Sequence, residues 1–448
     1  VWSAVYGGYE ALFRGSIFNP RAPDFATQIR PLTNTLGFAA PLTAAGLGVA
    51  LAFRCGLFNI GGQGQYLTGA IFAVWIGSSF EGLSPVLHVL LALVVVLILT
   101  PAVGRFARIL GVVDQPGEAR RIHLRPIPRL GGIALLLGIF VPALAFLQLD
   151  GAYRGILLGA AIATCVGVVD DFRGLPWWAK LGGQVTAAAV AVGSGVEVDR
   201  FTFPFLGIQD LPAWVGIPAT LIWIVAIMNM VNFLDGMDGL AAGICAIAGS
   251  TFAVIALSLG KPQAAILAAI VAGACFGFLR HNFYPARIFM GDSGALLLGF
   301  ILATLSVQGL LKTAATVALF FPLLVLAIPI VDTSFVLAKR LKYRRPLYEA
   351  DRTHLHHRFA NIGFSQRRAA LYMYGWCALL AGVALATRFV PFREHGYWHF
   401  WPTVAVAAIG LVALAASVYT IYLLEIVKLA NPLMRRREQE AQAERKTA

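Results

Sequence analysis

Charge is what this sequence has least of. Only 13% of its 448 residues are Asp, Glu, Lys or Arg, whereas 58% are hydrophobic and the mean hydropathy is +0.76. That balance excludes an ordinary soluble multidomain protein, whose surface would need far more polar residues. Strict apolar and polar alternation is also missing, which excludes an outer-membrane barrel. Cysteine is scarce and scattered. Cys55, Cys165, Cys245, Cys275 and Cys377 lie at least thirty positions apart, so no CxxC metal or redox pair exists and they read as small buried hydrophobes. No helical HExxH pattern occurs. Val1 rather than Met stands first, and a signal peptide is neither found nor ruled out.

What is abundant is the apolar run of about twenty residues, long enough to cross a hydrocarbon core of roughly 30 Å as a helix. Such spans fall at about 36–53, 66–79, 85–103, 131–149, 154–169, 178–194, 212–231, 239–258, 263–280, 293–310, 315–336, 369–387 and 403–427. The second is short and reads equally as a reentrant or interfacial segment. The fold class expected is all-α, a polytopic membrane helical bundle. From residue 85 onward it has about eleven transmembrane helices, with up to two more apolar helices ahead of them.

Sorting the loops after residue 84 onto alternating sides places twenty-five Lys and Arg on one side and six on the other. This asymmetry marks the basic side as cytoplasmic. It also accounts for the net charge of +13 without nucleic acid as a partner. The tail after residue 430, which contains RRREQEAQAERKTA, is charged and reads as a solvated end.

Carboxylates near helix ends are costly in a membrane and ask for a reason. Every one of Asp170, Asp171, Asp235, Asp238, Asp292 and Asp332 falls on the basic side. Asp170 and Asp171 repel each other and would gain from a cation or a shared proton; the plain alternative is a hydrated loop with Arg173 as a surface partner. Asn229, Asn232, Asp235 and Asp238 recur every third residue in NMVNFLDGMDGL, a spacing that lines amides and carboxylates along one ridge of a helix. Such groups suit a nucleobase, ribose or sugar, although Gly236 and Gly239 can also be ordinary punctuation. Asp292, in FMGDSG, reads either as a helix cap or as the sparse carboxylate ligand that Mg²⁺ takes beside substrate phosphates. His354, His356 and His357 sit between Arg352 and Arg358, a set better matched to anionic phosphates than to zinc. A basic loop that merely fixes topology is the alternative for these, and for Arg120, Arg121, Arg125 and Arg129 with His123.

In order along the chain, PIPRLGG, VVDDFRGL, NMVNFLDGMDGLAAG, FMGDSGALLLG and ADRTHLHHR resemble the motifs of the polyprenyl-phosphate N-acetylhexosamine-1-phosphate transferases. The resemblance covers roughly residues 90–425. It is closest to the branch that uses UDP-N-acetylglucosamine and undecaprenyl phosphate, rather than to the phospho-muramoyl-pentapeptide transferases. Ala295 departs from the Ser that many relatives carry there. The resemblance implies transfer of sugar 1-phosphate to the lipid phosphate with release of UMP. It also implies dependence on Mg²⁺, with Mn²⁺ as an alternative, and an active site on the cytoplasmic face of the bacterial plasma membrane. It casts Asp170, with Asp171, as assisting the lipid phosphate and Asp292 as the metal ligand. Asn232, Asp235 and Asp238 would form the nucleotide and catalytic pocket, with Asn229 and Arg129 on the substrate side. His354, His356, His357, Arg352 and Arg358 would engage the diphosphate. A homodimer is left open.

Residues 1–84 stand outside this pattern. TAAGLGVALAFRCGLFNIGGQGQYLTGA resembles a piece of the permease subunit of sugar and nucleoside ABC transporters, without room for a complete permease core. The expected organisation is therefore a fragment over 1–84, its boundary between 80 and 97, a transferase domain over 85–430 and a charged tail over 431–448. A join between unrelated segments is the favoured origin, with a natural fusion and an added anchor as alternatives. The fragment also keeps transport as a competing function, beside a noncatalytic membrane scaffold.

Overall fold

A computed structural model describes residues 107, 112–114, 127–149, 151–203, 207–311, 320–342, 359, 364–391, 393–394 and 397–423. The expected spans at 36–53, 66–79 and 85–103, the permease-like fragment and the charged tail lie outside these residues. The other ten spans expected from residue 85 onward all fall on helices.

Those helices are α1 (Gly131–Phe146), α2 (Gly151–Arg173), α3 (Trp177–Gly193), α4 (Ala213–Leu234), α5 (Leu240–Ser258), α6 (Pro262–Asn282), α7 (Gly291–Leu305), α8 (Phe320–Val325), α9 (Ala327–Lys342), α10 (Gln366–Phe389) and α11 (Phe400–Leu423). Seven stretches of helix among the described residues are long and apolar enough to cross a membrane. The protein is a multi-pass helical membrane bundle. The expected single span at 315–336 is broken into α8 and α9. Pro329 has no N–H to give the Val325 carbonyl, and the helix is interrupted between them. Short antiparallel pairs join the helices outside the apolar runs: β1 (Val113–Asp114) with β2 (Ile127–Pro128), β3 (Arg200–Phe203) with β4 (Gly207–Asp210), and β5 (Arg393–Glu394) with β6 (Tyr397–Trp398).

The bundle is built around α7. Its apolar stretch is 83% buried, against 11% for α11. A helix apolar on every face belongs in the middle of a bundle or in lipid, and the sequence alone does not choose between these. What selects α7 is close packing by small neighbours. Gly167 of α2 presses on the Ser293 backbone, where a Cβ would collide with main chain. α1, α2 and α4 all pack against α7, while α5 and α6 form a long antiparallel pair beside it. Hydroxyls in the spans mostly bond to carbonyls of their own helix, as Thr164 does to Ala160 at 2.8 Å, so few polar groups face lipid unmet. Two longer ties fix the bundle: Trp223 donates to the Ser306 hydroxyl at 2.8 Å, and Arg388 donates to the Ser258 hydroxyl and carbonyl at 2.8 and 2.7 Å.

Candidate active site

The described carboxylates and amides singled out by the sequence, Asp332 aside, gather at one end of the bundle, where α2, α4 and α6 finish and α3, α5 and α7 begin. The first turn of any helix leaves N–H groups without partners inside the helix. In α7, Asp171 from α2 accepts the N–H of Asp292 at 2.9 Å, the N–H of Ser293 at 3.1 Å and the Ser293 hydroxyl at 2.8 Å. Negative charge is favoured there by the helix dipole as well. Gly291, at φ +71°, makes the entry turn; a side chain at that position would strike both the Asp171 carboxylate and the Arg129 carbonyl oxygen. Asp171 is thus a cap supplied by a neighbouring helix.

Consecutive helical residues point about 100° apart, so Asp170 faces elsewhere. One of its oxygens accepts the Leu175 N–H at 2.6 Å, and the other pairs with the Lys180 ammonium at 2.8 Å. Lys180 also reaches Asp292 at 2.7 Å and the side-chain Oδ1 of Asn232 at 3.4 Å, while the Asn232 side-chain amide donates to Asp292 at 2.6 Å. Three side chains, from α2, α4 and α7, therefore meet around one ammonium from α3. Exposure distinguishes the two carboxylates: the Asp292 side chain is 34% accessible and that of Asp170 only 9%. A ligand arriving from solvent finds Asp292 first.

Asp235 closes α4, with its N–H bonded to the Asn232 carbonyl at 3.2 Å. Removal from water, reinforced by the charges of Asp292, Asp171 and Asp238 and opposed by Arg129, holds its carboxyl well above the usual carboxylate range. Asp235 thus keeps a proton more readily than an exposed carboxyl. Asp238 accepts the Ala286 N–H at 2.8 Å and so anchors the segment joining α6 to α7. Asn282 holds the other side of that segment: its oxygen accepts the Gly239 N–H at 3.1 Å and its amide donates to the Ile288 carbonyl at 3.0 Å. Tyr374 donates to the Gly239 carbonyl at 2.5 Å. Asn229 lies one turn deeper and pairs amide to amide with buried Gln184, at 2.7 and 3.2 Å, tying α3 to α4.

The structure therefore brings together Asp170, Asp171, Asn232, Asp235 and Asp292, with Arg129 close enough to act on Asp235 and Asp238 at the rim. It directs Asn229 into a helix contact. Arg352, His354, His356, His357 and Arg358 lie outside the described residues. Sequence reasoning missed Lys180, the centre of the cluster, together with Gln184, Asn282 and Tyr374. The signal for Lys180 is a charged residue one turn into an apolar helix, PWWAKLGGQ, which the charge asymmetry of the loops alone already accommodates.

Comparison with known proteins places the chain in a family. The sequence profile described as glycosyl transferase family 4 matches residues 153–310, which hold nearly all of α2, then α3 to α7, and most of the π-helical turn Ser306–Leu311 that follows α7. A Bacillus subtilis (strain 168) protein named "Probable undecaprenyl-phosphate N-acetylglucosaminyl 1-phosphate transferase" is 39% identical over 286 residues, 64% of this chain and 80% of its own. A decaprenyl-phosphate N-acetylglucosaminephosphotransferase of Mycobacterium leprae is 33% identical over 379 residues, 78% of this chain and 90% of its own. A phospho-N-acetylmuramoyl-pentapeptide-transferase of Desulforudis audaxviator is 34% identical over 303 residues, covering 61% and 88%. This chain belongs to the polyprenyl-phosphate N-acetylhexosamine-1-phosphate transferases of glycosyl transferase family 4.

Proposed function

We propose that the protein transfers N-acetylglucosamine 1-phosphate from UDP-N-acetylglucosamine to undecaprenyl phosphate, releasing UMP, at the cytoplasmic face of the bacterial plasma membrane. The observation that carries this reading is the meeting of Asp170, Lys180, Asn232 and Asp292 at the basic end of the bundle. The names of the relatives supply the substrate class, and the transfer begins an envelope glycan.

In the reaction an oxygen of the lipid phosphate attacks the β-phosphorus of the donor. The bond from that phosphorus to the bridging oxygen breaks, and the bridging oxygen leaves on UMP. Phosphoryl transfer of this kind needs placement and charge neutralisation more than a protein nucleophile. Lys180 offsets two carboxylates, and its longest contact, 3.4 Å to Asn232, is the one most readily exchanged for a phosphate oxygen. Asp170, next to that ammonium, orients the acceptor phosphate. Asp171 acts at one remove by fixing the start of α7, and with it Asp292. Asn232, Asp235 and Asp238 line the donor side.

Mg²⁺, or Mn²⁺ in its place, is usually held by one or two carboxylates together with substrate phosphates. Asp292, the more exposed carboxylate, would hold it. The ion would supply charge neutralisation at the transferring phosphoryl group. A transport reading rests on residues 1–84 and gives this cluster no task.

The test is direct. Purified protein given labelled UDP-N-acetylglucosamine, undecaprenyl phosphate and Mg²⁺ should move label into the organic phase, with UMP released in equal amount. Transfer from a UDP-muramoyl-pentapeptide donor alone would replace the sugar assignment, and no transfer from any donor would remove the enzyme reading.

A further inference from the structure

A groove of about 460 Å³ opens on the outer surface of α6, lined by Phe276, Leu279, Arg280, Phe283, Tyr284, Pro285 and Arg287. Phe276, Leu279, Arg280 and Phe283 follow the spacing i, i+3, i+4, i+7 and so share one helix face. The opposite face, with Cys275, Phe278, His281 and Asn282, is buried in the bundle. Phe276 and Tyr284 are 57% and 44% exposed, and both arginines are exposed. Among the described residues no acidic side chain lines the groove and neither guanidinium has a carboxylate partner.

We infer that this groove binds an anionic phospholipid of the bilayer, its phosphate held by Arg280 and Arg287 and its acyl chain lying along Phe276 and Leu279. The ordering along the helix fits this. Phe276 lies about 6 Å deeper than Arg280, so apolar contact falls on the hydrocarbon side and the charges at the headgroup level. Tyr284 has the amphipathic ring characteristic of that interface. A zwitterionic headgroup brings its own cation, whereas an anionic one complements two unpaired guanidiniums. That the groove faces the cytoplasmic leaflet rests on the proposed orientation; the preference for anionic lipid does not.

The acceptor lipid is a poorer occupant. Tyr284 is exposed, and from residue 285 to 288 the chain alternates: Pro285 and Arg287 face outward, while Ala286 and Ile288 are buried, with Ala286 bonded to Asp238 and Ile288 to Asn282. The groove and the carboxylate cluster thus lie on opposite faces of one segment. The bound phospholipid instead braces the segment that Asp238 anchors and that leads into Asp292.

Native mass spectrometry of the intact chain released from detergent, with 1-palmitoyl-2-oleoyl phosphatidylglycerol or the matching phosphatidylcholine added at equal concentration, tests this without any donor nucleotide. Phosphatidylglycerol should be retained preferentially. Arg280→Gln with Arg287→Gln should cut that preference about tenfold or more, and Arg280→Lys with Arg287→Lys should keep most of it. The Lys pair and an unchanged elution profile control for folding. Equal retention of the two lipids, an unaltered preference in the Gln pair, or displacement of phosphatidylglycerol by undecaprenyl phosphate would each overturn the inference. Because turnover is not measured, a failure here leaves the transferase reading to its own assay.

Discussion

Two neighbouring carboxylates show how much one residue's position decides. Asp171 accepts three hydrogen bonds from the start of α7, while Asp170 faces Lys180. Asp171→Ala leaves two N–H groups and a buried hydroxyl without their acceptor, at a cost of about 1–3 kcal/mol. It is expected to lower the unfolding midpoint in detergent as well as the transfer rate. Asp170→Asn keeps an oxygen for the Leu175 N–H and should leave that midpoint nearly unchanged while slowing transfer. Equal effects of the two substitutions on stability would show that the division of labour is misread. The sequence displayed both acids and gave no means of telling cap from site. That distinction depends on which side of α2 meets α7, and Gly167 fixes this by pressing on Ser293. Lys180 was hidden for a related reason, since a lone lysine beside an apolar run satisfies the positive-inside pattern and asks for no further account.

At the level of elements, helix existence was legible because every expected span on described residues carries a helix, and apolar length is a strong signal in a membrane protein. The division at α8 and α9 was not foreseen, although Pro329 marked it. The β3–β4 hairpin also went unread, because strands of four residues outside the membrane leave too little pattern to separate from a loop. Helix partners were the least legible. Gln184 and Asn229 are 45 positions apart, and only the structure shows their paired amides joining α3 to α4. Gln184→Leu should destabilise by about 1–3 kcal/mol, since it strands half of a buried amide pair. Gln184→Leu with Asn229→Leu should recover part of that loss. Thermal unfolding of the two single variants and the double variant measures the coupling; a double variant that loses the full sum would show that the pair contributes nothing jointly.

For the whole molecule, the charge count and the site agree on a direction. Among the described residues Arg173, Lys180 and Arg280 lie at the helix ends that hold the clustered carboxylates, and Arg154 lies at the other end of α2. With the native cysteines replaced, Arg173→Cys should react with an impermeant maleimide only in inverted membrane vesicles. Arg154→Cys should react from outside intact cells. The reverse pattern would place the site on the outer face, away from cytoplasmic nucleotide sugars.

The central claim is that the cluster around Lys180 and Asp292 joins two phosphorylated reactants through a divalent cation. The most direct measurement is the rate of UMP release, coupled to lipid-linked sugar, for wild type and Asp292→Asn across a Mg²⁺ titration. Wild type should release UMP and lipid product in equal amounts, in proportion to bound Mg²⁺, and stop when the metal is chelated. Asp292→Asn should be slower by about a hundredfold or more while unfolding at a similar temperature. Metal-independent turnover, or an Asn variant close to wild type, would contradict the account.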